Sequence, residues 1–118
     1  MNNLISTTKD HIAIAIGYEL SKLRKLRNLS GKKLAEMIDI SQQQISRYER
    51  GTCRINTDTL VYLLYKLGTS LDDFFIGVSL RLKEIDPELY KNYRFLFYPL
   101  TRDSYKKYFK FDDTSHFG

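Results

Sequence analysis

Apolar residues recur every three or four positions along much of the chain, which is the spacing of one face of an α-helix. Between residues 10 and 29 the positions on this spacing are Ile12, Ile16, Leu20, Leu23 and Leu26. Isoleucine alternates with alanine over residues 12–16, which also fits a short strand, but the alanines favour a helix. The pattern predicts a first amphipathic helix over residues 10–29.

Three short helices are predicted next from the residues that begin and end them. Ser30, Ser41 and Asn56 are good N-cap residues, because their side-chain oxygens accept hydrogen bonds from free N–H groups. Gly51 and Gly68 then end the third and fourth helices, since glycine adopts the left-handed conformation at little cost. The second helix contains "GKKLAEMI", and apolar residues of all three face inward.

Two more helices are predicted towards the C-terminus. Ser70 caps a short fifth helix that contains Phe74 and Phe75. The run "DPE" at residues 86–88 begins a sixth, from Pro87 to about Tyr98. The later stretch "YKKYFKF" fits a helix or a strand, and both alternatives stay open.

The second and third helices form the most informative unit. A tight connection joins them, and the third begins with "SQQQ", whose glutamines each carry an amide donor and a carbonyl acceptor. Two short helices joined in this way, the second with exposed polar side chains at its start, make a helix-turn-helix, which places its second helix in the DNA major groove. The glutamines therefore indicate recognition of base edges.

Charge agrees with a polyanionic partner but does not identify one. The chain of 118 residues has a net charge of +5 and a pI near 9.3, a field that attracts nucleic acid. No apolar run is long enough for a membrane span and the N-terminus does not resemble a signal peptide, so we expect a cytoplasmic protein that does not contact a membrane.

Catalytic and metal-binding chemistry is not indicated. Cys53 is the single cysteine, so it cannot form an internal disulfide, and we expect no role for it. With only His11 and His116 besides, the sequence contains no set of ligands at zinc-site spacing. No nucleophile triad or phosphate-binding loop occurs, and the paired acids at residues 72–73 and 112–113 fit a helix start and a polar tail. We expect neither an enzyme nor a cofactor.

The stretch "SGKKLAEMIDISQQQISRYERG", followed by "TDTLVYLLYKLGTSLDDFF", resembles the phage-repressor (Cro-type) helix-turn-helix domain. The resemblance covers residues 16–75 and rests on these separated features: Gly17, Arg24, Leu34-Ala35, Ser41, Ile45-Ser46, Tyr48-Glu49, Gly51, Leu60, Leu67-Gly68 and Leu71. The triple glutamine is also similar to small regulators of fimbrial operons in enteric bacteria.

The resemblance implies which side chains reach base edges. They are Gln42, Gln43 and Arg47, and Gln44 is a minor candidate because its side chain can instead complete the capping box of Ser41. The chemistry agrees, since glutamine can bond adenine bidentately and arginine can bond guanine. The alternative is that these residues form only a solvated helix surface.

The resemblance also implies phosphate contacts at two helix starts and one loop. The positions are Ser30, Lys32, Lys33, Ser41, Thr52 and Arg54. Relatives often carry a long polar residue where this chain has Gly31, so the lysines or backbone N–H groups must replace that contact. The lysines also fit an ordinary solvated face.

A structural ion pair is implied between Arg24 and Glu49, joining the first helix to the end of the third. Bidentate arginine–carboxylate geometry suits this task. The pair orients the third helix without contacting DNA, and removing one partner costs about 3–5 kcal/mol.

Aromatic residues concentrate near the C-terminus, with ten of the sixteen in residues 78–118. This segment fits stacking on single-stranded nucleic acid, additional core, or a protein interface. We favour the interface, because a dimer presents two recognition helices about one DNA turn apart. The candidate interface residues are Tyr90, Tyr93, Phe95, Phe97 and Tyr98.

Together these features predict an all-α protein with a five-helix, lambda-repressor-like DNA-binding domain and a mainly helical, aromatic-rich extension. Its parts are a flexible N-terminus (1–9), the helix-turn-helix domain (10–77) and a dimerisation or interaction segment (78–118). We expect a transcriptional regulator that binds a palindromic operator in double-stranded DNA as a homodimer and controls fimbrial or motility genes. The alternatives are an antitoxin whose C-terminal segment binds a toxin protein, and a protein-binding adaptor.

Overall fold

The computed structural model describes the backbone of residues 2–97 and the side chains of residues 5–96. Within these residues the chain is all-helical, as predicted. Its helices are α1 (Asn2–Leu26), α2 (Gly31–Ile38), α3 (Gln42–Arg50), α4 (Thr57–Leu67), α5 (Leu71–Ile85) and α6 (Pro87–Phe97). None of them is long and apolar enough to cross a membrane. The stretch "YKKYFKF" lies outside the described residues.

Every predicted N-cap is formed. Side-chain oxygens of Ser30, Ser41, Asn56 and Ser70 each accept a hydrogen bond of 3.0 Å from the backbone N–H three residues further on. Asp86 does the same for Leu89 at 3.1 Å. These bonds satisfy N–H groups that the first turn of a helix leaves free, so each helix begins at the residue after its cap.

The predicted ends of the first helix were wrong. Helix α1 begins at Asn2 rather than Asp10, so residues 2–9, predicted as a separate N-terminal segment, are part of the first helix. Neither proline nor glycine interrupts these residues, and the polar side chains there are compatible with an exposed helical turn. The helix ends at Leu26 because Asn28 adopts a left-handed φ of 57° in the following turn.

The fifth helix, predicted to be short, is longer than predicted and runs past residue 77, where the sequence suggested a domain boundary. Helix α5 continues through it to Ile85, because Phe74, Val78 and Leu82 recur every four residues and are fully buried. Helix α5 packs against α1 and α6. The core of the helix-turn-helix domain and the beginning of the extension are therefore continuous.

One core joins all six helices. Its buried members are Ala15, Leu20, Leu23, Leu34, Ala35, Ile38, Ile45, Leu63, Leu64, Leu67, Phe74, Val78, Leu82 and Leu89. Helix α1 lies between α3 on one side and α5 on the other, and α2 contacts α3 and α4. Burial of these side chains from every helix is the main stabilising contribution.

Helix α6 is fixed to α1 by a polar contact. His11 Nδ1 lies 2.8 Å from Asp86 Oδ2, at the junction of α5 and α6. This hydrogen bond, together with the one from the N–H of Leu89, holds the pKa of Asp86 below its ordinary value. Asp86 thus caps α6 and attaches it to the first helix.

Helix α1 approaches the end of α3 closely enough to require glycine at two positions. A Cβ on Gly17 would lie 2.2 Å from the carbonyl oxygen of Tyr48 and 2.7 Å from that of Glu49. A Cβ on Gly51 would lie 2.7 Å from Ile14 Cα, and Gly51 also has a positive φ of 73°. Gly51 therefore meets two requirements, a left-handed conformation and a backbone-to-backbone contact.

A carboxylate is buried where α1 meets α5. Glu19 is only 5% exposed, and its carboxyl occupies the space that a Cβ on Gly77 would need. Burial raises the pKa of Glu19, and Lys22, whose Nζ lies 3.8 Å away, lowers it in part. Beside it the Arg81 guanidinium lies over the Tyr18 ring, 3.8 Å from its centroid.

We predict that Gly17→Ala destabilises the protein by about 1–3 kcal/mol, the usual cost of overpacking. The added methyl meets two carbonyl oxygens of α3, which cannot move without moving the helix. Urea denaturation followed by circular dichroism measures the change. Gly31→Ala is the matched control, because a Cβ there makes only ordinary contacts of 3.9 Å and 4.0 Å. Equal stability of Gly17→Ala and the unchanged protein would contradict the close approach.

We predict that Glu19→Gln changes how stability depends on pH. Because burial raises the pKa of Glu19 in the folded state, its contribution is most favourable below the unfolded pKa and is lost as pH rises through the folded value. The free energy of unfolding of the unchanged protein should therefore fall relative to that of Glu19→Gln as pH rises from acidic to neutral. Parallel urea titrations at several pH values measure this, and a constant difference would contradict it.

Candidate nucleic-acid interface

The start of α3 presents a row of polar side chains to solvent. Gln42, Gln43 and Arg47 are all exposed, and none of the three forms a side-chain hydrogen bond or ion pair within the described part of the chain. Gln43 and Arg47 are four residues apart and so lie on one helical face. The three predicted base-contacting side chains are together, exposed and available.

Gln44 has a different environment from its neighbours. Its backbone N–H donates to Ser41 Oγ, but its side-chain Nε2 donates to Cys53 Sγ at 3.2 Å. The predicted use of this side chain in the capping box is therefore replaced by a contact with the loop after α3. Gln44 is half-buried, which separates it from the exposed row.

The inward side of α3 holds the helix in place. Ile45 is 2% exposed and belongs to the core. Tyr48 is half-buried and packs against the core. Helix α2 contacts α3 near Gly31, where an added Cβ would lie 3.9 Å from the Gln42 side chain. Residue 31 therefore lies next to the first glutamine.

The predicted phosphate-contacting residues at the starts of α2 and α3 are exposed. The hydroxyls of Ser30 and Ser41 accept from Lys33 N and Gln44 N as N-caps. Lys32 and Lys33 are exposed. Helix starts attract anions through their free N–H groups and the helix dipole. Lys32 and Lys33 add to the partial positive charge at the N-terminus of α2.

The two predicted phosphate-contacting residues in the loop already have protein partners. Thr52 Oγ1 donates to the carbonyl of Arg47 at 3.2 Å. Arg54 Nη2 donates to Asp10 Oδ1 at 2.8 Å, and both side chains are more than half exposed. Asp10 therefore competes with any phosphate for Arg54. Since the pair is exposed, its strength is modest and depends on salt.

Arg24 and Glu49 form a bidentate pair between α1 and the end of α3. Arg24 Nε lies 2.7 Å from Glu49 Oε2 and Nη2 lies 2.9 Å from Oε1, while Nη1 donates to the carbonyl of Leu29 at 2.7 Å. Both side chains are about 13–14% exposed. The hydrogen bond with Glu49 raises the pKa of Arg24, so the guanidinium keeps its positive charge.

The candidate dimer residues separate into two groups. Tyr90 and Tyr93 are half-buried and pack against the core, and Lys83 Nζ lies 5.6 Å from the Tyr90 ring centroid. Phe95 is 70% exposed. The side chains of Phe97 and Tyr98 lie outside the described residues. Part of the aromatic segment therefore contributes additional core, one of the alternatives considered from the sequence.

Three structural features were not predicted from the sequence. Cys53 supports Gln44, Asp10 pairs with Arg54, and Glu19 is buried at the α1–α5 contact. Each contact depends on tertiary structure, and the sequence offered only a weak signal, the acidic residues Asp10 and Glu19 in the otherwise basic α1. Among the described residues no three potential metal ligands come together.

Comparison with known proteins shows what this part of the chain is similar to. Residues 20–74 match the family model described as helix-turn-helix, HTH_3. An uncharacterized HTH-type transcriptional regulator of Rickettsia prowazekii is 38% identical over 64 residues, which are 54% of this chain and 49% of that protein. The antitoxin PezA of Streptococcus pneumoniae is 33% identical over 71 residues, 60% of this chain and 44% of that protein.

The fold also occurs in a solved structure. The crystal structure of the clp gene regulator ClgR from Corynebacterium glutamicum superimposes with a TM-score of 0.60 at 22% identity, covering 71% of this chain and 92% of that chain. This likeness shows the fold. The chain spans about half the length of the curated relatives it matches. Residues 20–74, a little under half of this chain, are therefore similar to the helix-turn-helix model HTH_3.

Proposed function

We propose that the protein is a transcriptional regulator that binds a specific sequence of double-stranded DNA. The observation that carries this proposal is the row of Gln42, Gln43 and Arg47, exposed on a helix whose opposite side is fixed in the core. A rigid helix with free polar side chains at its start is suited to the major groove. The similarity to proteins named as HTH-type transcriptional regulators supports the same function.

The chemistry of the row suggests what it recognises. Each glutamine can donate to and accept from the major-groove edge of adenine, and Arg47 can donate twice to guanine. Gln44 is a secondary candidate because Cys53 holds its amide. The caps Ser30 and Ser41, together with Lys32 and Lys33, supply the neighbouring phosphate contacts, with Thr52 and Arg54 on the other side of α3.

We propose that the protein acts as a homodimer on a palindromic operator. A single α3 contacts only a few base pairs, whereas two recognition helices about one DNA turn apart double the contacts. The exposed Phe95 and Leu96 at the end of α6 extend the interface candidates towards Phe97 and Tyr98. Control of fimbrial or motility genes is the more detailed proposal, supported by the triple glutamine alone.

A second candidate is an antitoxin that regulates its own operon. The similarity to the antitoxin PezA over 71 residues supports it. In that case the C-terminal segment binds a toxin protein rather than a second copy. Purification of the protein from its native host distinguishes the two, since a stoichiometric protein partner favours the antitoxin and a self-associated protein favours the simple regulator.

We predict that Gln43→Ala and Arg47→Ala each weaken discrimination between bases at one position, by about 1–3 kcal/mol. Genome-wide DNA capture with the full chain, repeated with each variant, gives the site preference. Both side chains are exposed, so the free energy of unfolding should change by less than about 0.5 kcal/mol.

Lys91→Ala, an exposed change on α6 away from α3, is the matched control and should keep both affinity and preference. If the protein captures no specific DNA, the proposed function is wrong. If it captures DNA but both α3 variants keep the original preference, the assignment of these two side chains to base contacts is wrong while the function stands.

We predict opposite salt effects for the two members of the Asp10–Arg54 pair. Arg54→Ala should reduce the slope of log affinity against log salt by about one, as expected for one lost phosphate contact. Asp10→Asn frees Arg54 from its 2.8 Å partner and should raise affinity and steepen the slope. Glu88→Gln, the same charge change on α6, is the control. If Asp10→Asn and Glu88→Gln gave the same slope, the proposed competition between Asp10 and a DNA phosphate for Arg54 would be contradicted.

A further inference from the structure

A groove of about 380 Å³ lies beside the recognition helix. It is bounded by the first half of α1, the loop that follows α3 and the start of α4. Its lining residues are mostly apolar, namely Ile12, Ala13, Ile16, Tyr48, Ile55 and Leu60. This volume is within the range of small-ligand sites, which are mainly apolar with a few placed polar groups.

The polar groups of the groove are mainly cationic. Lys9 and Arg54 belong to its lining, none of whose described residues is acidic, and Asp10 pairs with Arg54. Lys9 forms no ion pair within the described part of the chain. Two cations and one carboxylate leave a charge of +1 beside an apolar surface, which is complementary to an anion that carries an apolar chain.

We propose that this groove binds a small amphipathic carboxylate, such as a free medium-chain fatty acid. Its carboxylate lies between Lys9 and Arg54, and its chain lies along Ile12, Ile16 and Leu60. Both cations can donate charge-assisted hydrogen bonds to the carboxylate. The apolar lining removes the alkyl chain of the ligand from water, and this benefit is the same for a neutral or a cationic amphiphile. The positive charge of Lys9 and Arg54 therefore provides the selectivity for a carboxylate.

An occupant of the groove contacts the DNA-binding elements directly. Tyr48 belongs to α3, and Cys53, which also lines the groove, accepts the hydrogen bond from Gln44. This step rests on the proposed function. We infer that the ligand weakens DNA binding, because its carboxylate and a DNA phosphate both require Arg54. By linkage, DNA weakens ligand binding by the same factor.

Decanoate, kept below its micelle-forming concentration, tests the site without DNA. It is titrated into the ¹⁵N-labelled full chain, with decanol and decyltrimethylammonium as neutral and cationic probes. We expect saturable shifts of amides in residues 9–16 and 53–60 with decanoate and weaker binding of the other two. Lys9→Gln should weaken decanoate binding about tenfold, the effect of one lost charge-assisted hydrogen bond, whereas Lys91→Gln should not.

Absence of saturable shifts, equal binding of all three probes, or shifts centred away from the groove would each overturn the proposal. Equal affinity of Lys9→Gln and Lys91→Gln would also overturn it. The titration contains no DNA, so its result is independent of the proposed function. A separate measurement of DNA affinity with and without decanoate then tests the coupling, with Lys9→Gln expected to reduce the effect of decanoate.

Discussion

The close contact between α1 and the C-terminal end of α3 is the constraint on which the rest of the structure depends. Gly17 allows the two backbones to approach within a distance that no side chain permits, and Gly51 ends α3 against α1 in a left-handed conformation. The Arg24–Glu49 pair, with two hydrogen bonds below 3 Å, fixes the angle between the helices. Because interiors are close-packed, α3 has one position relative to α1.

Because of this contact, one side of α3 packs on the core and the other side is exposed. Its inner side chains, Ile45 and Tyr48, and its last turn hold the helix, while Gln42, Gln43 and Arg47 remain exposed at its other side. In the proposed function, a helix that is already held in place loses little conformational entropy on binding DNA, so its hydrogen bonds to bases contribute more fully to affinity. The same contact places the loop after α3 next to α1, which creates both the Asp10–Arg54 pair and the apolar groove.

Local signals made most of the fold predictable. Caps such as Ser41 and Asn56 act through their own backbone neighbourhood, so the sequence indicates where their helices begin. The end of α5 was mispredicted because the apolar spacing continues past residue 77 without a helix-breaking residue, and composition alone suggested a boundary there. The Gln44–Cys53 and Asp10–Arg54 contacts could not be predicted, because their partners lie 9 and 44 positions apart and meet only once the chain has folded.

Native-state hydrogen exchange tests most directly whether α1 holds the recognition helix. Exchange of backbone amides in the full chain is followed at increasing low concentrations of denaturant, which resolves local from global opening. If the contact holds α3, amides of residues 45–49 should open only together with those of residues 15–23, at the free energy of global unfolding. Opening of α3 at a clearly lower free energy, while α1 stays protected, would contradict this account.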